Sequence, residues 1–203
     1  MFSIIQAAGW PVWPLIIASV IALAIIGERL WTLRETLVMP RGLLTRTVQE
    51  YRQNGADAKS LERLAESSPL GQILAAGIKN IKASPAVLKE SIEEAAHVSA
   101  IHLERFLTTL GTIAAISPLL GLFGTVIGMI EIFGSTSPTG NSNPVQLAHG
   151  ISIALYNTAL GLVVAVPSMI FYRHFRGKVD TLLVAMEMQA TKMVEIIHGE
   201  RQA

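Results

Sequence analysis

Three long stretches of the chain are dominated by hydrophobic residues and carry almost no charge. The first lies within residues 1–27, the second runs from Phe106 to Phe133 with Glu131 as its only charged residue, and the third covers residues 145–172. Each is long enough to cross a bilayer core of about 30 Å as a helix. The pattern therefore predicts an all-α membrane protein with three transmembrane helices.

Abrupt changes in composition set the boundaries of these predicted spans. Between the first and second spans the chain carries ten of its sixteen Lys and Arg residues and nine of its fifteen Asp and Glu residues. The predicted segments are an outer N-terminus with the first span (1–33), a cytoplasmic helical segment (34–105), the second span (106–133), a short outer loop (134–147), the third span (148–172) and a cytoplasmic C-terminal helix (173–203).

Two of the predicted spans extend into long cytoplasmic helices. Ser84 followed by Pro85 is a strong helix start, because serine caps a helix and proline suits its first turn. No helix breaker follows before Gly111, which predicts one helix running straight into the second span. After Arg173 the apolar residues recur at helical spacing, so the third span is expected to continue toward the C-terminus.

The distribution of basic residues predicts the orientation. All sixteen Lys and Arg residues lie in 29–105 or 173–201, and the N-terminus and the 134–147 loop have none. Because cytoplasmic loops carry the excess of Lys and Arg, we expect the N-terminus outside and the C-terminus in the cytoplasm. The lack of a basic residue before Arg29 also argues against a cleaved signal peptide.

The composition points away from enzymes and nucleic-acid binding. Charged residues make up 15% of the chain, below the average of about 25% for soluble proteins. No basic patch with interleaved aromatic residues is present, and there are no cysteines. His97 and His102 are five residues apart, which does not match the spacing of a helical metal pair. We therefore expect no cofactor, no metal site and no catalytic residues.

The second span contains small residues at positions that favour close helix packing. Gly124 and Gly128 are four residues apart and share one helix face with Gly121 nearby, while Gly161 lies in the third span. Pro118 and Pro167 interrupt the two spans and predict kinks, because proline removes a backbone hydrogen bond. Passive helix packing is the simplest interpretation of this pattern.

A sharper interpretation concerns the polar residues of the same spans. Thr125, Thr158 and Asn157 predict a narrow polar path through an apolar region. For Thr158, a hydrogen bond to its own helix is the alternative. Neither hydroxyl titrates near neutral pH, so a proton carrier has to come from elsewhere. Glu131 is a possible ionisable group, although its place near the outer end of the span favours an interfacial role.

Two segments resemble a known family. SPLLGLFGTVIGMIEIF in the second span and HGISIALYNTALGLVVAVPSMIFYRHF in the third are similar to signature segments of the MotA/TolQ/ExbB proton-channel family. The three-span plan resembles ExbB and TolQ more than MotA, which has an extra span. This resemblance covers essentially the whole chain.

The resemblance implies a pore-forming subunit of a proton-driven motor in the bacterial inner membrane. It implies a homopentamer around a pore that holds a single-span ExbD- or TolR-like partner, whose Asp carries the proton. The pore threonines of the family fall on Thr125 and Thr158. The work would pass to a TonB- or TolA-like protein, for outer-membrane transport or envelope maintenance.

One position departs from the family pattern. Ile153 stands where the family often has a Glu. Either that Glu is dispensable, or it serves the structure of the pore, or this chain conducts protons differently. Relocation of the acid to Glu131 is a further alternative, at another depth in the membrane. Two alternatives stay open at this point: a passive membrane scaffold, and a flagellar-stator-like subunit similar to MotA. A small secondary transporter is disfavoured, because spans two and three show no inverted pair of broken helices.

Overall fold

The computed structural model describes residues 9–134 and 144–199, and within these ranges the chain is helical with no β-strand. This confirms the predicted all-α class. In chain order the helices are α1 (Val12–Thr32), α2 (Glu35–Val38), α3 (Leu43–Asn54), α4 (Ala58–Ser67), α5 (Pro69–Lys79), α6 (Pro85–Leu103), α7 (Leu107–Gly134) and α8 (Pro144–His198).

Three of these helices are long and apolar enough to cross a membrane. They are α1, α7 and the Gly150–His198 part of α8, with mean hydropathies of 1.8, 2.1 and 1.8 over their most apolar windows. The third span continues without a break into the C-terminal helix, as its periodicity predicts. The chain divides into two compact units, one formed by residues 1–28 and 106–174 and the other by residues 29–105 and 175–203.

The first unit combines most of α1, up to residue 28, with α7 and the first part of α8. Trp10, just before α1, packs edge-to-face against Phe123 of α7 with ring centroids 6.2 Å apart. Large apolar side chains such as Leu119, Phe133 and Val163 stay exposed on this unit. In a membrane helix such a surface is suited to contact with lipid.

Both prolines lie inside helices that continue past them. Pro118 is in α7 and Pro167 is in α8. Beside each proline a buried serine donates a hydrogen bond to the carbonyl four residues earlier, Ser117 to Ile113 and Ser168 to Val164, both at 2.7 Å. The kinks predicted from the sequence stay predictions, since continuity of a helix does not define its bend.

The second unit is built around the apolar face of α5. Leu70, Ile73 and Leu74 of this helix are fully buried, and Met193 of α8 contacts it at Gly77. Side-chain caps begin its helices: Ser68 accepts a hydrogen bond from the Gly71 amide at 3.1 Å. Such a cap stabilises a helix by about 0.5–2 kcal/mol.

The expectation of one uninterrupted helix from Pro85 into the second span is wrong. The α6 helix ends at Leu103 and α7 begins at Leu107, with Phe106 between them in the left-handed region at φ 64°. The buried Arg29 donates a hydrogen bond from Nη1 to the Leu103 carbonyl at 3.0 Å. A carbonyl satisfied by a side chain no longer needs a following helical turn, which is how α6 can end without a glycine.

Candidate functional site

The candidate site is the seam between α7 and α8 in the first unit, where the two helix backbones nearly touch. A Cβ atom placed on Gly161 would lie 2.6 Å from the Ser117 carbonyl oxygen and 3.1 Å from the Gly121 Cα atom. One on Gly121 would lie 2.8 Å from the Asn157 carbonyl oxygen. The contacting atoms belong to the backbone and cannot rotate away. Only glycine therefore permits this helix separation.

Asn157 fills the space over the next glycine of the seam. Its side chain is 1% exposed, and its Cβ and Cγ atoms lie 2.6 and 2.7 Å from where a Cβ atom on Gly124 would be. Sequence reasoning assigned Asn157 to the pore lining, and the structure places it inside the contact between α7 and α8 of a single chain. The position favours a packing role, while a role in lining a pore stays a prediction.

Gly128 is a less crowded position in the same seam. The nearest atom to a Cβ placed there is the Ala154 Cβ at 3.5 Å, which is an ordinary van der Waals distance. The two backbones therefore come closest around Gly121 and Gly161, and Gly128 is less crowded, whereas beyond it the Ile132 side chain of α7 lies against Gly150 of α8. The sequence pattern alone treats Gly124 and Gly128 as an equivalent pair, so this difference could not be read from it.

Thr125 is half-buried and already uses its hydroxyl hydrogen. Its Oγ1 donates to the Leu122 carbonyl at 2.6 Å. A hydroxyl has one hydrogen and two lone pairs, so the remaining capacity of Thr125 is to accept. The residue opens on a shallow depression of about 510 Å³ whose other walls include Val126, Met129 and Phe133. Among the described residues that line this depression, Thr125 supplies the only hydroxyl.

Thr158 lies across the seam and differs in its hydrogen bonding. Its Cα atom is 3.1 Å from a Cβ atom placed on Gly121, which locates it at the tightest contact. Among the residues that the structure describes, none accepts a hydrogen bond from its hydroxyl. The bond to its own helix, expected as the alternative, is therefore not formed. Thr158 can still donate, whereas Thr125 cannot.

The seam also includes polar residues that sequence reasoning passed over. Ser117 and Ser168 are buried beside the two prolines, and Tyr172 places its ring 3.1 Å from a Cβ position on Gly111. A serine adjacent to proline inside an apolar run is the signal that could have pointed to the first two. The predicted positions Glu131 and Ile153 belong to α7 and α8, but their side chains lie outside the described part of the structure.

Three apolar helices that are long enough to cross a membrane define a multi-pass membrane protein. Two of them, α7 and α8, are in close contact through glycines and carry hydroxyl side chains at that contact. Residues 65–188, over half of the chain, match the model of the MotA/TolQ/ExbB proton channel family. The chain belongs to this family. It is accordingly a multi-pass protein of the inner membrane.

Several known proteins are similar over most of the chain. Biopolymer transport protein exbB1 of Vibrio cholerae is 33% identical over 171 residues, which is 81% of this chain and 74% of that protein. Putative biopolymer transport protein ExbB-like 3 of Synechocystis is 30% identical over 195 residues, covering 95% and 92% of the two chains. The Tol-Pal system protein TolQ of Pseudomonas aeruginosa is 30% identical over 161 residues, covering 71% and 70%.

Proposed function

We propose that this chain is the pore-forming subunit of an inner-membrane motor of the ExbB/TolQ type, driven by the proton motive force. The observation that carries the proposal is the pair Thr125 and Thr158, which offer complementary hydrogen bonding at a seam of mostly apolar helices. Membership of a proton-channel family and similarity to biopolymer transport and Tol-Pal proteins support it. In this proposal the N-terminus is periplasmic and the C-terminus cytoplasmic.

The two hydroxyls can distinguish the two protonation states of a carboxyl group. A protonated carboxylic acid donates a hydrogen bond, and Thr125 has lone pairs free to accept it. A carboxylate only accepts, and Thr158 has a hydrogen free to donate. A carboxyl group that moves between the two threonines would find a suitable partner in each state. Neither threonine carries the proton itself.

The acid in this scheme comes from a partner chain. The spans offer no midplane acid, because Ile153 stands where the family often has a Glu and Glu131 lies near the end of α7. We therefore propose a homopentamer of this chain around the transmembrane helix of an ExbD- or TolR-like protein that bears an Asp. Proton flow would turn the ring against that helix and pass work to a TonB- or TolA-like protein.

The available energy is consistent with a motor of several steps. One proton crossing a potential of 100 mV releases about 2.3 kcal/mol. Moving a protein segment against folded-state interactions typically costs several kcal/mol, so a productive stroke would need several protons. A subunit that merely leaked protons would waste this energy, which is a physical reason for a mostly apolar pore wall.

The proposal is tested by removing each hydroxyl while keeping the shape of the side chain. In a host without its own ExbB and TolQ, Thr158→Val and Thr125→Val should each abolish proton-dependent uptake while the complex still assembles on native gels. Thr112→Val is the matched control, because the Thr112 hydroxyl also bonds within its own helix, to the Thr108 carbonyl at 2.9 Å, on an exposed face. It should leave uptake unchanged.

A passive scaffold is the competing function, and the tight glycine seam suits it equally well. Under that alternative both valine variants keep full activity, and collapsing the proton gradient with an ionophore changes nothing. A MotA-like stator role predicts instead that the same variants stop swimming of a flagellated host rather than uptake.

A further inference from the structure

The second unit carries a groove between α6 and α8 that no described residue of the chain fills. It has a volume of about 470 Å³. Its apolar floor is formed by Leu88 and Ile92, which are almost fully buried. Its rim is charged: Lys89 pairs with Glu93 at 3.4 Å on the α6 side, and Glu187 lies on the α8 side. We refer to it as the α6–α8 groove.

An exposed apolar ridge lies on the same stretch of α8. Val184 is 57% exposed and Met188 is 68% exposed, the highest exposure of any large hydrophobic side chain in the described part of the second unit. This unit holds most of the charge of the chain, so contact with lipid does not account for the ridge. Methionine is flexible and polarizable, and it readily fills irregular apolar pockets.

Helical geometry prevents the ridge from entering the groove of its own chain. At 100° per residue, the α8 residues that line the groove (187, 191, 194 and 198) point roughly 70° away from the ridge at 184 and 188. A wall and a ridge on one rigid helix cannot meet each other. They can meet in different copies, and two distinct surfaces that recognise each other head to tail generate a ring.

We infer that the Val184–Met188 ridge of one copy occupies the α6–α8 groove of the next copy, and that this contact closes the ring outside the membrane. The inference rests on the proposed function, since a pore surrounded by identical subunits needs head-to-tail contacts. It adds the surfaces through which the copies recognise each other, in a part of the chain that does not include the threonines.

The charges around the two surfaces are complementary. Lys192 is exposed one turn beyond Met188, and Glu187 is on the rim of the groove. Neither forms an ion pair with another residue in the described ranges of a single chain. In the docked arrangement Lys192 of one copy approaches Glu187 on the rim of the next, because Glu93 on that rim is already paired with Lys89. The complementarity is therefore that of one pair of side chains, Lys192 beside the ridge and Glu187 on the rim of the groove.

The absence of cysteine from the chain allows a clean cross-linking test. The double variant Met188→Cys/Val194→Cys places one thiol on the ridge and one in the groove. Within a chain these positions are about 9 Å apart along the helix, too far for a disulfide, which needs Cα atoms within about 7 Å. Oxidation of the full-length protein in native membranes should give a ladder of covalent oligomers larger than dimers.

Each control has a defined result. Met188→Cys alone and Val194→Cys alone should give no ladder, and neither should Met188→Cys/Ile101→Cys, because Ile101 is exposed but lies outside the groove. A strong dimer from Met188→Cys alone would show ridge-to-ridge pairing and overturn the inference. So would a double variant that stays monomeric under oxidation while uptake remains normal, and this outcome would leave the proposed function intact.

A second pair of variants tests the contact without relying on cysteine placement. Within the double-cysteine chain, Lys192→Glu should lower the ladder yield by roughly threefold, as expected for an exposed ion pair turned repulsive. Adding Glu187→Lys should restore it. Both side chains are at the surface, so folding is expected to persist. An unchanged ladder yield with Lys192→Glu would contradict the charge complementarity. A normal ladder in a chain without uptake activity would support the contact between copies and count against the proposed motor function.

Discussion

Replacing a glycine of the α7–α8 seam by alanine should change the stability of the protein in opposite directions at Gly161 and at Gly128. The sign depends on whether the gain in helix propensity or the cost of overpacking is larger at that position. Replacing a glycine inside a helix by alanine favours the helix by up to about 1 kcal/mol. At Gly161 the new Cβ atom would lie 2.6 Å from the Ser117 carbonyl oxygen. An ordinary contact needs about 3.4 Å, so the helices would have to separate by about 0.8 Å. Overpacking of this kind costs typically 1–3 kcal/mol, which outweighs the helical gain.

Gly128→Ala is the matched variant for this comparison. Its Cβ atom would meet Ala154 at 3.5 Å, a normal distance, so only the helical gain remains. We expect Gly161→Ala to be less stable than the unmodified protein and Gly128→Ala to be equal or slightly more stable. The difference between the two alanine variants should reach roughly 1–3 kcal/mol.

Thermal unfolding of the purified protein in one detergent measures this difference. At roughly 2–4 °C per kcal/mol for a chain of this size, the two variants should differ by several degrees in Tm, with Gly161→Ala lower. The readout should follow tryptophan fluorescence, since Trp10 packs on Phe123 of the same unit. Equal Tm values for the two variants would refute the argument that backbone contact decides the outcome.

Further predictions concern the break before α7 and the cap of α5. Phe106→Gly should stabilise the chain by about 1 kcal/mol and raise its Tm, because a bulky side chain is strained at a left-handed φ of 64°. A lower Tm would show that the contacts of the Phe106 side chain stabilise the protein by more than the strain destabilises it. Arg29→Met should speed hydrogen exchange at the end of α6, since the Leu103 carbonyl loses its 3.0 Å partner; unchanged exchange there would remove Arg29 as the reason for the break. Ser68→Ala should destabilise the first turn of α5 by about 0.5–2 kcal/mol, which is measured as faster hydrogen exchange of the Gly71 amide. Ser67→Ala is the control and should not affect that amide, because the Ser67 hydroxyl donates to the Leu64 carbonyl instead.

The sequence by itself determined the features that depend on local composition. Three uncharged runs define three apolar helices because a bilayer requires every backbone polar group to bond within its own segment. The Ser84-Pro85 start and the periodic apolar residues from Val179 to Met193 predict helices that the structure contains. The two family segments also suffice to identify the family, because each is a contiguous stretch of sequence that can be compared without knowing the fold.

Contacts between distant residues were decided only by the tertiary structure. The end of α6 depends on Arg29, which is 74 residues away in sequence from the Leu103 carbonyl to which it donates. No local sequence pattern predicts the left-handed backbone conformation of Phe106. The difference between a tight Gly121 and a loose Gly128 depends on which part of α8 lies opposite each.

The same distinction applies to the polar residues of the site. Residue types identified Thr125 and Thr158 as hydroxyls in an apolar region. Only the structure shows that Thr125 donates its hydrogen to a carbonyl of its own helix, whereas Thr158 donates to no described residue. Asn157 was assigned to the pore because it is polar, and only the structure shows that it is buried against Gly124 of the same chain. A helical period states which residues share a face, whereas the identity of the opposing surface is fixed by helix separation and register, which are properties of the folded chain.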